Sequence, residues 1–572
     1  MHVVATAGHV DHGKSTLVMA LTGTDPDRWA EEKARGLTID LGFAHVLLPS
    51  AREISFVDVP GHVRFIKNML AGVGAVDACM FVVAATEGWK PQSEEHLRIL
   101  QLLGLRHGLV ALTKVGLCDD DLVELARLDV AEHVTGTFLE DAPVIAVDAP
   151  TGRGLTDLVT ALDELTAVTP TSVDRGRPRL WVDRSFAARG SGTVVTGTLT
   201  GGSLQIDDEV LVLPRNRAVR VRGLQSLHRQ QTEVGPGHRS AVNLVGITYS
   251  EVERGHAVVR PGQWHTTMRL DASLHVLASL DHEVSRRGAY VAYLGSGEHP
   301  VKLRVLGDHN LAPGETGSIR LHLPWPVPLL PGDHYVLRES GRKETVGGGE
   351  VLDVAPIRAA SKAEPDRSVD RVIAERGWIE ATLLEQLTGE RRAPTIGGWV
   401  VDPHALEATR QAVAERVDAA GPLGLDTVAL SERERGVLAL LDDVVVDAGR
   451  AKRVEAPDPL AHHPYLAALD AEPFAPPPPD GVSREELREL VKRGLVVAQD
   501  GVWFSAGAVE QAANVIGRLL TDQPDGVTVA DIRTALGNTR KHALPLLAAL
   551  DDKGITRRRG DIRIAGPRMP AI

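Results

Sequence analysis

Near the start of the chain Gly8-His9-Val10-Asp11-His12-Gly13-Lys14-Ser15 sets glycines, a lysine and a hydroxyl in the spacing G-x-x-x-x-G-K-S. This is the pattern of a phosphate-binding loop. The glycines let the backbone curl until successive N–H groups face phosphate oxygens, and the positive end of the helix starting near Lys14 favours the same anion. In that arrangement Lys14 reaches the β- and γ-phosphates and the Ser15 hydroxyl ligates Mg²⁺, with Thr16 completing the nucleotide-contacting set. Two later segments supply the rest of a phosphoryl-transfer site. After a polar stretch from Asp25 to Ala34 comes Arg35-Gly36-Leu37-Thr38-Ile39-Asp40. Thr38 is the candidate second hydroxyl for Mg²⁺, on a switch loop that holds the metal only while the γ-phosphate is present. The strand Ile54-Ser55-Phe56-Val57-Asp58 then leads into Val59-Pro60-Gly61-His62. Asp58, at a strand's carboxyl end, is placed for the Mg²⁺ hydration shell, and Gly61 lets its N–H approach the γ-phosphate. His62 would lie beside the in-line water, as the catalytic residue.

These residues must be positioned by a parallel sheet. Ala78-Cys79-Met80-Phe81-Val82-Val83-Ala84-Ala85 and Gly108-Leu109-Val110-Ala111-Leu112-Thr113-Lys114 are continuous apolar runs separated by a leucine-rich helical stretch. Such runs are strands covered by helices on both faces. At 572 residues the chain is too long for one core. Two cysteines, Cys79 and Cys118, and a start without a charged-then-apolar leader predict a reducing, cytoplasmic setting. No apolar run approaches the roughly twenty residues of a bilayer span, so no membrane partner is expected. The net charge of −13 argues against indiscriminate nucleic-acid coating, yet Gln511–Ile572 carries ten Lys and Arg against six Asp.

The loop G-H-V-D-H-G-K-S, the switch R-G-L-T-I and the run D-V-P-G-H resemble the translational GTPases in order and approximate spacing. The resemblance implies GTP and GDP as ligands with Mg²⁺, His62 as the residue orienting hydrolytic water, and Val10 and Leu37 as a hydrophobic gate. One departure stands out. The family reads guanine with N-K-x-D or T-K-x-D, but here the motif is Thr113-Lys114-Val115-Gly116. The absent carboxylate would accept from guanine N1 and N2, an interaction worth about 1.5–3 kcal/mol. Lys114 can still stack on the base, and Asp148-Ala149 stands where the family has Ser-Ala, whose alanine N–H meets guanine O6. Asp119 or Asp120 is the expected substitute carboxylate if the loop shifts. Failing that, base preference should be weak and Gly116→Asp should restore it.

From Arg179 to about Arg260, and again from Leu270 to Ile357, short β-rich runs with glycine punctuation predict two barrels. By the same resemblance these clamp an aminoacyl-tRNA, and segments containing Asp183 and Arg239 match those lining the amino-acid pocket of selenocysteine-specific factors. A selenol is more acidic than a thiol, so such a pocket must accept an anion, which a guanidinium does. Beyond the linker Ala359–Pro365 lie some two hundred residues with an internal period of sixty. Leu490-Val491-Lys492-Arg493-Gly494-Leu495 aligns with Leu550-Asp551-Asp552-Lys553-Gly554-Ile555, each followed by a hairpin. Helix then β-ribbon outlines a winged helix, with weaker copies near Trp399 and Val444. In the last copy Val496-Val497-Ala498-Gln499 is replaced by Thr556-Arg557-Arg558-Arg559. With Arg540 and Lys541 on the preceding helix, these are the candidate RNA-binding residues.

The predicted architecture is multidomain: an α/β P-loop GTPase domain (1–172), two β-barrel domains (176–263 and 266–358) and C-terminal tandem winged-helix domains (366–475, 480–508 and 509–572). The chain as a whole resembles the bacterial selenocysteine-specific elongation factors. That resemblance implies a monomer whose partners are selenocysteyl-tRNA, an mRNA selenocysteine-insertion hairpin and the ribosome. Two alternatives stay open on sequence alone: a general translational GTPase with a protein-binding tail, and a nucleic-acid adapter whose GTPase has decayed.

Overall fold

The computed structural model describes residues 1–26, 38, 40–62, 65–74, 76–188, 190, 192–307, 310–454 and 460–570. They form two compact units, Met1–Asp402 and Pro403–Ile572. The division falls within the span 366–475, because the first two helices after the linker and the paired strands Trp378–Glu380 and Trp399–Val401 belong to the first unit.

The first unit opens with β1 (His2–Ala7), α1 (Lys14–Thr22), β2 (Gly42–Leu47), β3 (Glu53–Asp58), α2 (Ile66–Val73), β4 (Ala78–Ala84), α3 (Pro91–Leu102), β5 (Gly108–Thr113), α4 (Asp120–Val134), β6 (Val144–Ala146) and α5 (Leu155–Val168). The sheet order is β2-β3-β1-β4-β5-β6, all parallel except β2, which runs antiparallel on β3. Side chains alternate between two cores. Val3, Ala5, Phe81 and Val83 pack with Met69 of α2 and Leu97 of α3. Val4, Phe56, Met80 and Val82 pack with Leu17 of α1 and Leu162 of α5. Burial on both faces is why these strands read as unbroken apolar runs. The carboxyl ends of β1, β3 and β5 deliver Gly8, Asp58 and Thr113 to one rim, the usual ligand side of an open α/β sheet.

Two six-stranded barrels follow. In the first, Glu209–Leu213 pairs with both Ala257–Val259 and Arg217–Ser226 and so closes the ring. In the second, Thr266–Val276 pairs with both Thr316–Pro328 and Glu344–Asp353. Inward alternation fills them: Val195, Val210, Val212 and Val242 in one, Leu270, Ala272, Leu274, Ile319 and Leu321 in the other. Polar ties join the three parts. Arg179 forks onto Asp333 at 2.6 and 2.7 Å, Arg338 meets Glu95 at 2.9 Å, and Arg254 meets Asp40 at 2.7 Å.

The second unit is a string of helix-and-hairpin modules. Helix Arg484–Lys492 precedes the hairpin Val496–Gln499/Val502–Ser505, and helix Arg540–Asp552 precedes Thr556–Arg559/Ile562–Ala565. Ser483 and Glu486 form a reciprocal capping box on the first of these helices. The first hairpin turns through Asp500 (φ 48°) and Gly501 (φ 76°), the left-handed pair that suits a twisted two-residue turn. In the last module Val527–Thr528 adds a third strand, completing a winged helix with order Val527–Thr528, Ile562–Ala565, Thr556–Arg559. Among the described residues no helix is long and apolar enough to cross a membrane.

Candidate functional site

The phosphate loop leaves β1 at Gly8, whose φ is 129° and where a Cβ would lie 2.1 Å from the Val82 carbonyl oxygen. Only glycine fits there. Gly13, in the left-handed region, starts α1 with no side-chain cap and no acid in the first turn, so the positive end of the helix dipole is turned toward the loop. Lys14 Nζ folds back to donate to the carbonyls of Gly8 (3.1 Å) and His9 (2.7 Å). His9 and Val10 are half-buried, while Asp11 and Thr16 are exposed. His12 is buried with its ring centroid 5.0 Å from that of His9. Burial, then the His9 ring, lowers its pKa to about 4.

The three residues expected to share a metal do come together. Ser15 Oγ donates to Asp58 Oδ2 at 2.6 Å and lies 2.8 Å from Thr38 Oγ1. Thr6 Oγ1 holds the other carboxylate oxygen at 2.7 Å, and Asp58 is fully buried. Two hydroxyls beside one buried carboxylate form an all-oxygen set suited to a small hard cation. A Cβ at Gly61 would sit 2.5 Å from Lys14 Nζ and 2.6 Å from the Val10 nitrogen, so this glycine lets the segment from β3 press against the loop. His62 follows it, its carbonyl accepting from the Phe65 N–H at 2.8 Å and its ring 5.9 Å from that of Phe65. Arg35, Gly36, Leu37 and Ile39 of the expected switch lie outside the described residues.

At the base-facing end, Thr113 Oγ1 donates to the His12 carbonyl at 2.6 Å and ties this segment to the loop. Lys114, left-handed at φ 58°, reaches Glu87 at 3.1 Å. Of the expected substitutes for the missing acid, one caps a helix and the other faces solvent. Asp119 caps α4, accepting from the Leu122 N–H at 2.9 Å, and the Asp120 side chain is solvent-exposed near Arg153. Position 116 has no room for a carboxylate either, because a Cβ there would meet Asp148 Oδ2 at 2.7 Å and Cγ at 2.8 Å. The packing argues against the expectation that Gly116→Asp restores base preference, since the added carboxylate would crowd that of Asp148. Ala149, half-buried, follows Asp148 and donates no backbone hydrogen bond among the described residues.

In the first barrel Asp183 and Arg239 meet as an ion pair at 2.9 and 3.0 Å. Thr196 donates to Asp183 at 2.6 Å, and the Arg239 guanidinium lies 3.4 Å over the Phe43 ring of β2. Arg239 borders a cavity of about 180 Å³ that also takes in His45, Arg184, Phe186 and His228. Burial, then the neighbouring His228, lowers the His45 pKa. Two arginines and two histidines thus line the cavity, with Arg184 paired to Asp40 and Arg239 to Asp183. In the last winged helix Arg557, Arg558 and Arg559 are exposed, while Thr556 is buried and bonded to Asp551. Arg540 and Lys541 open the helix Arg540–Asp552.

Composition and spacing left several contributors unmarked. His96, on the sheet-facing side of α3, accepts the Gly8 N–H at 3.1 Å, and Gln92 accepts the Val10 N–H at 3.2 Å. Thr6 is one hydroxyl in an apolar strand, and Phe43 is an aromatic on an edge strand. Only a polar residue inside an apolar pattern hints at Thr6 and His96; nothing local marks Phe43.

Three family models match: Elongation factor Tu GTP binding domain over residues 1–168, Elongation factor Tu domain 2 over 192–259, and Elongation factor SelB, winged helix, over 518–565. The chain is 39% identical over 386 residues to the selenocysteine-specific elongation factor of Desulfomicrobium baculatum, covering 67% of this chain and 60% of that one. It is 30% identical over 636 residues to the selenocysteine-specific elongation factor of Escherichia coli (strain K12), covering 98% of both. The chain belongs to the selenocysteine-specific elongation factors. The crystal structure of a bacterial member, EF-Sec, superposes with a TM-score of 0.73 at 26% identity over 99% of both chains. Membership in this translational GTPase family carries guanine-nucleotide binding and GTP hydrolysis. It leaves unexplained how a member with Gly116 recognises guanine.

Proposed function

We propose that this protein carries selenocysteyl-tRNA to the ribosome in its GTP-bound form and binds an mRNA hairpin beside a recoded UGA codon through residues 509–572. The observation that carries this reading is the exposed Arg557-Arg558-Arg559 wing on a chain whose first 358 residues fold as a GTPase domain and two barrels. The reading takes 1–172 as the GTPase, 176–263 and 266–358 as the tRNA-carrying barrels and the remainder as winged helices, acting as a monomer in the cytoplasm. Tethering to the hairpin raises the local concentration of charged tRNA at one codon.

In the nucleotide site, Ser15, Thr38 and Asp58 would hold Mg²⁺, whose charge neutralises phosphate oxygens. Lys14 exchanges the Gly8 and His9 carbonyls for β- and γ-phosphate oxygens, a favourable trade of neutral for charged acceptors. His62 orients the water whose oxygen attacks the γ-phosphorus as the bond to the β–γ bridging oxygen breaks. Gly61, Val10 and His9 keep that region closely packed. Ribosome contact is taken to complete the arrangement. Beside the barrel cavity Asp183 and Arg239 face the aminoacyl end, an anionic selenolate competing with Asp183 for the guanidinium.

Two measurements test the proposal. His62→Ala should leave GTP and tRNA binding nearly intact while removing most ribosome-stimulated turnover, since it touches water and not phosphate; unchanged turnover refutes that role. A filter assay should retain selenocysteyl-tRNA in preference to seryl-tRNA. Equal retention favours a general factor, and absent hydrolysis favours a nucleic-acid adapter.

A further inference from the structure

Gly116 lies in the short turn Val115–Leu117 and is not among the glycines held at positive φ, so its backbone would accept a side chain. What excludes one is the carboxylate of Asp148. A Cβ at position 116 would lie 2.7 Å from Oδ2, 2.8 Å from Cγ and 3.1 Å from Oδ1. An acidic group therefore fills the space that the side chain of residue 116 would enter, arriving from the opposite loop. Asp148 is 5% exposed. Thr151 Oγ1 donates to Oδ2 at 2.6 Å, and a backbone bridge to Arg153 fixes the loop. Among the described residues Asp148 has no cationic partner, and Oδ1 accepts no hydrogen bond. Thr151 thus occupies one acceptor site of the carboxylate and leaves the others open to donors from a ligand.

We propose that Asp148 is the base-reading residue of this protein, its carboxylate accepting from guanine N1–H and N2–H in place of the acid absent at position 116. The proposal rests on the GTP-binding reading and adds to it the residue that sets base specificity. The chemistry is a fork of two parallel donors meeting two acceptors, as in other planar carboxylate pairs. Thr151 orients the carboxylate, Lys114 stands two residues before Gly116 on the same rim, and the Ala149 N–H is adjacent for O6. The acid and the small residue have exchanged sides of the pocket.

The test is equilibrium binding of GDP, xanthosine diphosphate and ADP to the full chain. Wild type should prefer GDP. Asp148→Asn presents one acceptor and one donor, which match the N1–H and C2 carbonyl of xanthine; it should bind GDP about ten- to a hundredfold more weakly and gain xanthosine diphosphate. Gly116→Asp alone should lose GDP, because two carboxylates would share one space. Gly116→Asp combined with Asp148→Ser should recover it, and this pair keeps the proposal testable if a single variant folds poorly. Unchanged base preference in Asp148→Asn overturns the proposal, as does a folded double variant that does not recover GDP. If wild type binds none of the three nucleotides, the GTP-binding reading fails instead.

Discussion

His96 shows how one buried ring shapes the phosphate loop. Its Nδ1 accepts the Gly8 N–H, which requires the neutral imidazole, and its Nε2 has no partner among the described residues. Burial, then Lys14 and His9, lowers its pKa to about 3. Below pH 6.5 the unfolded chain takes up a proton that the folded chain refuses. The stability contributed by neutral His96 is therefore complete above pH 6.5 and is lost progressively as pH falls toward 3, by about 1.4 kcal/mol per pH unit. Thermal melts of wild type and His96→Gln from pH 7 to about pH 4.5 should differ by this slope. Asp183 and Arg239 call for a different substitution. Arg239→Ala alone would strand a buried carboxylate at a cost of about 3–5 kcal/mol, so a change in tRNA binding would be uninterpretable. Asp183→Asn with Arg239→Gln removes both charges together. That variant should melt close to wild type yet lose most of its preference for selenocysteyl- over seryl-tRNA in a filter assay; a retained preference makes the pair purely structural.

At the scale of elements, the two hairpin copies form an internal control. Val496 and Thr556 occupy the same buried position, after which the earlier strand continues Val497-Ala498-Gln499 and the later one continues with three exposed arginines, Arg557, Arg558 and Arg559. Charge has been added on an unchanged frame. Alternation puts Arg557 and Arg559 on one face and Arg558 on the other, where its Nε donates to the Gly560 carbonyl at 3.1 Å. The helix adds a second sign. Arg540 and Lys541 crowd the positive end of Arg540–Asp552, where Thr539 provides no side-chain cap. Cations there oppose the helix dipole by about 0.3–1 kcal/mol each. Arg540→Gln with Lys541→Gln should raise the melting temperature slightly while weakening mRNA-hairpin binding. Replacing Arg557, Arg558 and Arg559 by Gln should weaken binding and flatten its logarithmic salt dependence by about 0.7–0.9 for each phosphate no longer neutralised. GTP hydrolysis should not change. Unaltered affinity and slope would move the RNA-binding surface elsewhere.

At the scale of the whole molecule, each compact unit closes its own apolar cores, the first through clusters ending at Val400 and the second through clusters beginning at Val413. A chain ending at Asp402 should therefore fold, hydrolyse GTP and bind selenocysteyl-tRNA, but lose hairpin binding in a mobility-shift assay; loss of tRNA binding would implicate the second unit in holding the tRNA. The modular plan was readable from residue order alone, because phosphate loops, buried parallel strands, barrel alternation and the sixty-residue period are all local patterns. So were Ser15 and Asp58, the one in the first turn of α1 and the other the last residue of β3, where a linear motif fixes position. The close packing of Asp148 into the space beside Gly116 was not readable. Residues 116 and 148 are separated by α4 and β6, and only the sheet's folding brings the carboxylate of one beside the other. Asp119, closer in sequence, is spent on capping a helix. The Asp183–Arg239 pair over Phe43 and the His96 hydrogen bond to Gly8 have the same origin. Sequence specifies which groups a chain carries, and packing between elements distant in sequence decides which of them meet.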